Sequence, residues 1–254
     1  MSVVDIVSRD NPIVARVRRL ARSPGAYRRE GAVWLEGEHL CGAFLEHGGA
    51  AAQALVAASA WDAPALRAIA GCAARVARVP DALFAGVSGL ESPAGIGFVV
   101  ELPATPAVDP LQPSVVLDRV QDAGNVGSIL RSAAAMGYAQ IVALTGTAAL
   151  WSPRVLRAGM GAHFGLRLVE GADGAALGAL QMPLLATSSH ADEALGDAVL
   201  PWPCAWVFGH EGQGIAEAVA ARCSRTVRID QPGGEESLNV AAAAAICLHA
   251  GRRR

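Results

Sequence analysis

SVVLDRVQDAGNVGSILRSAAAMGYAQIVALTG, residues 114–146, is the stretch whose reading decides the fold. SVVLDRV is a short run of apolar, largely β-branched residues that ends in charge, the pattern of a strand emerging from a buried sheet. NVGSILRSAAAMG is alanine-rich, reads as helix and stops at a glycine, and QIVALTG is a second buried-strand run closed by a glycine. Strand, helix and strand in that order make a βαβ unit with parallel strands. Further strands are read at PLLATSS (183–189), AWVFGHE (205–211) and RTVRID (225–230). The expected class is therefore α/β, with a mostly parallel sheet covered by helices. Ligands of such sheets bind outside the carboxyl ends of the strands, so the glycine-bearing segments that follow strands are where chemistry is sought.

Upstream, ELPATPAVDPLQP (101–113) carries four prolines, which disfavour both helix and ladder pairing, and it is read as a linker. It divides a domain over 1–105 from one over 111–254. In the first, NPIVARVRRLARSP has helical spacing and AVWLEGEHLCGAFLEHGG is a strand running into a helix stopped by glycines. AQALVAA and GFVVELP read as buried strands, completing a small α/β unit.

Composition narrows the function. The chain has 254 residues, 52% of them hydrophobic, enough for a sizeable core. Its longest apolar run, AAAAAICLHA, is about half the ~20 residues a bilayer span needs, so no membrane segment is expected. Charged residues interrupt MSVVDIVSRDNP where a secretory signal would be apolar, and a cytoplasmic protein is expected. Cys41, Cys72, Cys204, Cys223 and Cys247 form no close pair, which argues against a zinc site or a disulfide framework and for buried or inert thiols. Net charge is -2, yet the 21 cations, all arginine, are unevenly spread. Arg9, Arg16, Arg18, Arg19, Arg22, Arg28 and Arg29 crowd the first 31 residues and Arg252, Arg253 and Arg254 end the chain. Such clusters either grip phosphates through the guanidinium fork or form a solvated helix face; charge alone does not choose.

Three segments could carry chemistry. After SVVLDRV, Gly124 and Gly127 let the chain turn closely, Asn125 is placed to cap the helix, and Arg131 lies further along it. In FGHEGQGI (208–215) three glycines surround Glu211, as in a loop whose backbone approaches a ligand while fixing one acid. The glycine spacing is not that of the dinucleotide fingerprint, and His210 is either a general base or a structural loop residue. In IDQPGGEESLNVAAAAAI (229–246) Ser237 is a good N-cap and Asn239 falls in the first turn, so capping alone would account for both. All three segments end strands of one sheet and so can converge.

Together these segments resemble the SpoU/TrmH family of RNA ribose methyltransferases, of the SPOUT class. The family's first motif, Asn-x-Gly with an arginine four residues on, appears as Asn125, Gly127 and Arg131; its second as Gly209, Glu211 and Gly214; its third as Ile229, Gly233, Ser237, Leu238, Asn239 and Val240. Asp230 and Gln231 stand where the family usually has proline and methionine, and Ala241 where serine is frequent. The likeness runs over about 114–250, including RVLRAGMGAHFGLRL, while SRDNPIVARVRRL through YRREGAVWLEGEHL is similar to the family's substrate-binding domain of L30e type.

The resemblance implies a C-terminal SPOUT domain with a deep trefoil knot and a small N-terminal L30e-like α/β domain. It implies S-adenosylmethionine held near Gly209, Ile229 and Leu238, with Gly212, Gln231 and Thr187 beside them, and no metal. Arg131 would activate the ribose hydroxyl or stabilise its charge, with Asn125, Glu211, Ser237 and Asn239 completing the site. Arg9, Arg18, Arg19, Arg22 and Arg28 would meet structured RNA, rRNA ahead of tRNA, and the protein would be a homodimer. The alternative is a catalytically inactive RNA-binding scaffold in ribosome assembly. A nicotinamide oxidoreductase lacks its glycine fingerprint here, and GVSGL (86–90) misses the serine-hydrolase elbow at its last position.

Overall fold

The computed structural model describes residues 2–233 and 238–252, and the chain forms two compact units. One takes in the chain up to Ala104 together with Trp151–Phe164; the other takes in Thr105–Leu150 and continues from Gly165. The segment 151–164 thus clusters away from the 111–254 domain in which the sequence places it. Its short helix, Pro153–Gly159, meets the helix Pro12–Arg22 and the strand Ala32–Glu36 of the first unit, and Trp151, Val155 and Leu156 are all buried.

The first unit runs β1 (Ser2–Asp5), α1 (Pro12–Arg22), α2 (Ala26–Glu30), β2 (Ala32–Glu36), α3 (Glu38–Glu46), β3 (Gln53–Ala57), α4 (Ala58–Asp62), α5 (Pro64–Gly71), β4 (Arg75–Val79), α6 (Asp81–Val87) and β5 (Ile96–Glu101). Its sheet has the order β1-β4-β3-β5-β2, with β1, β4 and β3 parallel and β5 antiparallel to both neighbours. Strands β1 and β4 escape the sequence reading: β1 is exposed along its whole length and β4 carries arginine at two of its five positions, Arg75 and Arg78, so neither shows a buried run. Helix α1 begins where Asn11 accepts the Ile13 amide at 2.9 Å and Pro12 takes the first helical position, and it buries Val14, Val17, Leu20 and Ala21.

The second unit contains β6 (Ser114–Asp118), α7 (Ala123–Ala135), β7 (Gln140–Leu144), then, after α8 (Pro153–Gly159) of the first unit, β8 (Arg167–Ala172), β9 (Leu184–Thr187), β10 (Ala205–Gly209), α9 (Glu217–Ala220), β11 (Arg225–Val227) and α10 (Val240–Gly251). Its sheet has the order β11-β9-β10-β6-β7-β8, and every pairing is parallel. Strands β6 and β7 are buried at every position, which is why they read as unbroken apolar runs. Because the strands run the same way, Asp118, Thr187, Gly209 and Val227 all end at one edge. Helix α7 buries Val126, Ile129, Leu130 and Ala133, and α10 buries Ala244, Cys247, Leu248 and Gly251, the same i, i+3, i+4, i+7 spacing. Helix α10 packs on α7 and on β10. A Cβ at Gly251 would stand 2.7 Å from Trp206 Nε1 and 2.8 Å from Tyr138 Oη, so only glycine permits this approach.

Cys41, Cys204 and Cys247 are buried, Cys223 is half-buried and Cys72 is exposed. Desolvation raises the Cys41 and Cys247 thiols to about 12, well away from reactivity. Among the described residues no helix is long and apolar enough to cross a membrane, and no three side chains form a metal cluster.

Candidate active site

The site grows from the three strand ends. At the end of β6 the chain turns into α7 through Gln121 and Asp122. The N-cap is Asp122, whose Oδ1 accepts the Asn125 amide at 2.8 Å. Asn125 is therefore not the cap the sequence proposes; it sits one turn in, which frees its side chain. At the start of α10 the cap is Asn239, whose Oδ1 accepts the amides of Ala241 at 2.9 Å and Ala242 at 3.3 Å. The sequence puts Asn239 inside the first turn and gives the cap to Ser237, which lies outside the described residues.

The loop after β10 is built by its glycines. Gly214 has φ +66, and a Cβ on Gly209 would stand 2.3 Å from the backbone of Gly214 and Ile215. His210 closes the loop from within: its backbone exchanges hydrogen bonds with Gly214, and its Nδ1 accepts the amides of Gly212 at 2.9 Å and Gln213 at 3.2 Å. A ring nitrogen committed to two donors is a brace, and the structural reading of His210 replaces that of a base.

Glu211 joins this loop to the helix. Its carboxylate accepts the Gln121 and Asp122 amides, each at 3.2 Å, and Asn125 Nδ2 at 3.1 Å. Asn125 Oδ1 in turn accepts Asn239 Nδ2 at 3.0 Å. A carboxylate only accepts, so Asn125 must present its amino group to Glu211 and its oxygen to Asn239; every orientation in the relay is fixed. Desolvation pushes the Glu211 carboxyl up, but the bonds from Asn125 and from the backbone amides of Glu211, Asp122 and Gln121 outweigh it, leaving the group below the ordinary carboxylate range.

Beside the relay lies a cavity of about 720 Å³, within the range of small-molecule sites. Gly209, Glu211, Gly212, Gln213 and Gly214 form one wall; Thr187, Ser188 and Ser189 lie at the end of β9; Ile229, Gln231, Leu238 and Asn239 line the side below α10. The six residues that the resemblance assigned to the cofactor, Thr187, Gly209, Gly212, Ile229, Gln231 and Leu238, thus share one cavity. The Gln231 carboxamide oxygen is buried with no partner among the described residues, a free acceptor at the wall. Arg131 is exposed, outside the lining, and makes no hydrogen bond or ion pair among the described residues. Glu211 and Asn125 spend their side chains on the loops and not on Arg131.

Between residues 112 and 249 the chain matches the model of the SpoU rRNA Methylase family, a span that holds all three loops. The chain belongs to this family. An uncharacterized tRNA/rRNA methyltransferase of Synechocystis is 29% identical to this SpoU-family chain, over 99% of it and 94% of the relative. The crystal structure of an RNA 2′-O ribose methyltransferase superposes with a TM-score of 0.82 at 27% identity, covering 98% of each chain. The SpoU methyltransferase AviRb from Streptomyces viridochromogenes, solved with AdoMet, has the same fold, with a TM-score of 0.85 at 24% identity over 95% of this chain and 97% of that one.

The arginines expected to meet RNA lie in the first unit. Arg18 reaches the Arg9 carbonyl at 3.5 Å and shares a helix face with Arg22, whose guanidinium donates to the Gly86 carbonyl at 2.9 Å. Arg28 stacks over the Tyr27 ring at 4.9 Å. Arg19 is bound to Glu30 at 2.8 Å, which also takes Arg16, so Arg19 is committed within the fold. Asp118 and Arg119, which no motif or glycine spacing marks, also bind the β10 loop. An acid and a base adjacent at a strand's end were the available signal.

Proposed function

We propose that this SpoU-family protein transfers a methyl group from S-adenosylmethionine to a ribose 2′-hydroxyl of structured RNA, with rRNA the substrate. What carries the reading is the convergence of the three strand-end loops on one cavity, locked together by the Glu211–Asn125–Asn239 relay. The cavity fits the cofactor's chemistry: glycine backbone for close approach, apolar Ile229 and Leu238, and a free acceptor on Gln231 for an amine. The cofactor supplies a methyl carbon that is already electrophilic on a sulfonium, so its departure leaves a neutral thioether.

The protein's work falls on the nucleophile. A ribose hydroxyl is a very weak acid, and charge develops on its oxygen as it attacks. Arg131, exposed on α7 and without an internal partner among the described residues, has its guanidinium available to that oxygen or to a neighbouring phosphate. A guanidinium offers donors and no acceptor, so it stabilises the developing charge while the hydroxyl proton passes to solvent water. Glu211, Asn125 and Asn239 act by holding the walls in register. Arg9, Arg18, Arg22 and Arg28 offer phosphate contacts on the first unit, which under this reading is L30e-like and recognises RNA shape.

The same reading includes a trefoil-knotted path in the second unit, supported by the return of α10 from the edge strand β11 to pack against α7 and β10. It also includes a homodimer, consistent with Ile246 standing 42% exposed on α10. The family is one of methylases, and no observation favours an inactive scaffold.

Replacing Arg131 with alanine tests the proposal. Methylation of RNA should fall by about 10²–10³-fold, the usual cost of removing one charge-stabilising donor, while unfolding and S-adenosylmethionine binding stay as in wild type. Wild-type rates in that variant would remove Arg131 from the reaction.

A further inference from the structure

We propose that Arg119 is a positioning residue for the cofactor loop, holding the limb Gln213–Ala216 in the shape that forms the cavity wall; the inference rests on the cofactor reading above. Asp118, at the end of β6, is only 3% exposed, yet its carboxylate is fully engaged. It accepts Arg119 Nε at 3.0 Å and Nη2 at 3.1 Å, and the Ala216 amide at 2.6 Å. The guanidinium then reaches across to the loop, Nη1 donating to Gln213 Oε1 at 2.9 Å and Nη2 to the Gly214 carbonyl at 3.2 Å. Three of the five contacts reach the same loop, and Gln213, Gly214 and Ile215 all line the cavity while Arg119 itself does not.

The backbone gives a second, independent sign. Arg119 has φ 59, in the left-handed region where a side chain carries strain that glycine would not. Its amide is held by Thr147 Oγ1 at 3.1 Å, and that hydroxyl donates to the Leu117 carbonyl at 2.9 Å, so the turn is over-determined by its surroundings. An arginine at a position shaped for glycine is in use through its fork, which presents several donors at fixed angles where lysine presents a single point of charge. The β10 loop is therefore held twice: Glu211 ties its tip to α7, and Arg119 with Asp118 ties its base to β6.

The test uses the full chain and S-adenosylhomocysteine as probe. Arg119→Gly relieves the backbone and removes the side chain with its guanidinium; Arg119→Lys keeps the stem and a charge without the fork. Both should weaken probe binding by about tenfold in calorimetry, the worth of one charge-assisted hydrogen bond. The KM for S-adenosylmethionine should rise by a similar factor, while kcat at saturating cofactor and RNA stays at the wild-type value. Amide hydrogen exchange should quicken at Gln213–Ile215 and not at Gln121 or Asp122. Wild-type affinity in a folded Arg119→Gly protein overturns the inference alone, as does a loss confined to kcat. If the wild type binds no S-adenosylhomocysteine, the cofactor reading fails and takes this inference with it. Should Arg119→Gly not fold, Arg119→Lys and its exchange pattern decide.

Discussion

At the scale of single residues the site is a matter of hydrogen-bond supply and demand. Glu211 is one carboxylate with three donors from a different segment, so its charge holds the β10 loop to the start of α7. Since the folded state depresses its pKa, the contribution is fully present above the ordinary carboxyl value of 4.5 and is lost as pH falls through the lower folded value. Glu211→Gln should therefore cost about 1 kcal/mol near pH 7, a figure kept small because the group is exposed, and almost nothing near pH 2. Urea unfolding of both proteins across that range measures it; a difference independent of pH would show that the charge is not what holds the loop. This much was partly legible in the sequence. Glu211 among glycines stood out as a fixed acid, but its partners, at positions 121, 122 and 125, could not be named from spacing, because about 90 residues separate donor from acceptor.

At the scale of elements, the decisive feature is the glycine-built loop after β10. A Cβ at Gly209 would meet backbone atoms of Gly214 and Ile215, not a side chain that could swing away. Gly209→Ala should therefore force the loop open, costing about 1–3 kcal/mol in chemical denaturation as overpacking does, and should abolish S-adenosylhomocysteine binding. Binding at wild-type strength would mean that the cavity tolerates an open loop. Elements with unbroken apolar runs, such as β6, β7 and β10, were readable because both faces of a parallel sheet are buried. Strands β1 and β4 were not, since one is exposed and the other carries arginine. Helix caps were misassigned by two or three residues for a related reason: Asp122, Asn125, Ser237 and Asn239 are all competent caps, and only packing chooses among them.

At the scale of the whole molecule, the proposed contact with RNA is a question of how the arginines are distributed. Arg18, half-buried, and Arg22, exposed, share a face of α1, whereas Arg19 is engaged by Glu30. Replacing Arg18 and Arg22 together with glutamate should weaken RNA binding at low salt by about tenfold or more and flatten its salt dependence by roughly two units of slope, leaving cofactor affinity unchanged. RNA titrations at several salt concentrations read both quantities, and an unchanged slope would place the RNA elsewhere. A simple truncation at Ala104 is a poorer test, because Trp151, Val155 and Leu156 belong to the unit it would remove. The amino-acid sequence alone determined the α/β class, the buried strands of the second unit such as β6, β7 and β10, and the three loops that matter, because strand burial and glycine spacing are local properties written in consecutive residues. Tertiary structure alone decided which side chains in those loops face one another, that His210 braces its own loop, and that Asp118 and Arg119 hold the same loop. Those outcomes depend on which strand ends become neighbours in the sheet, and contacts between residues so far apart leave no periodicity to read.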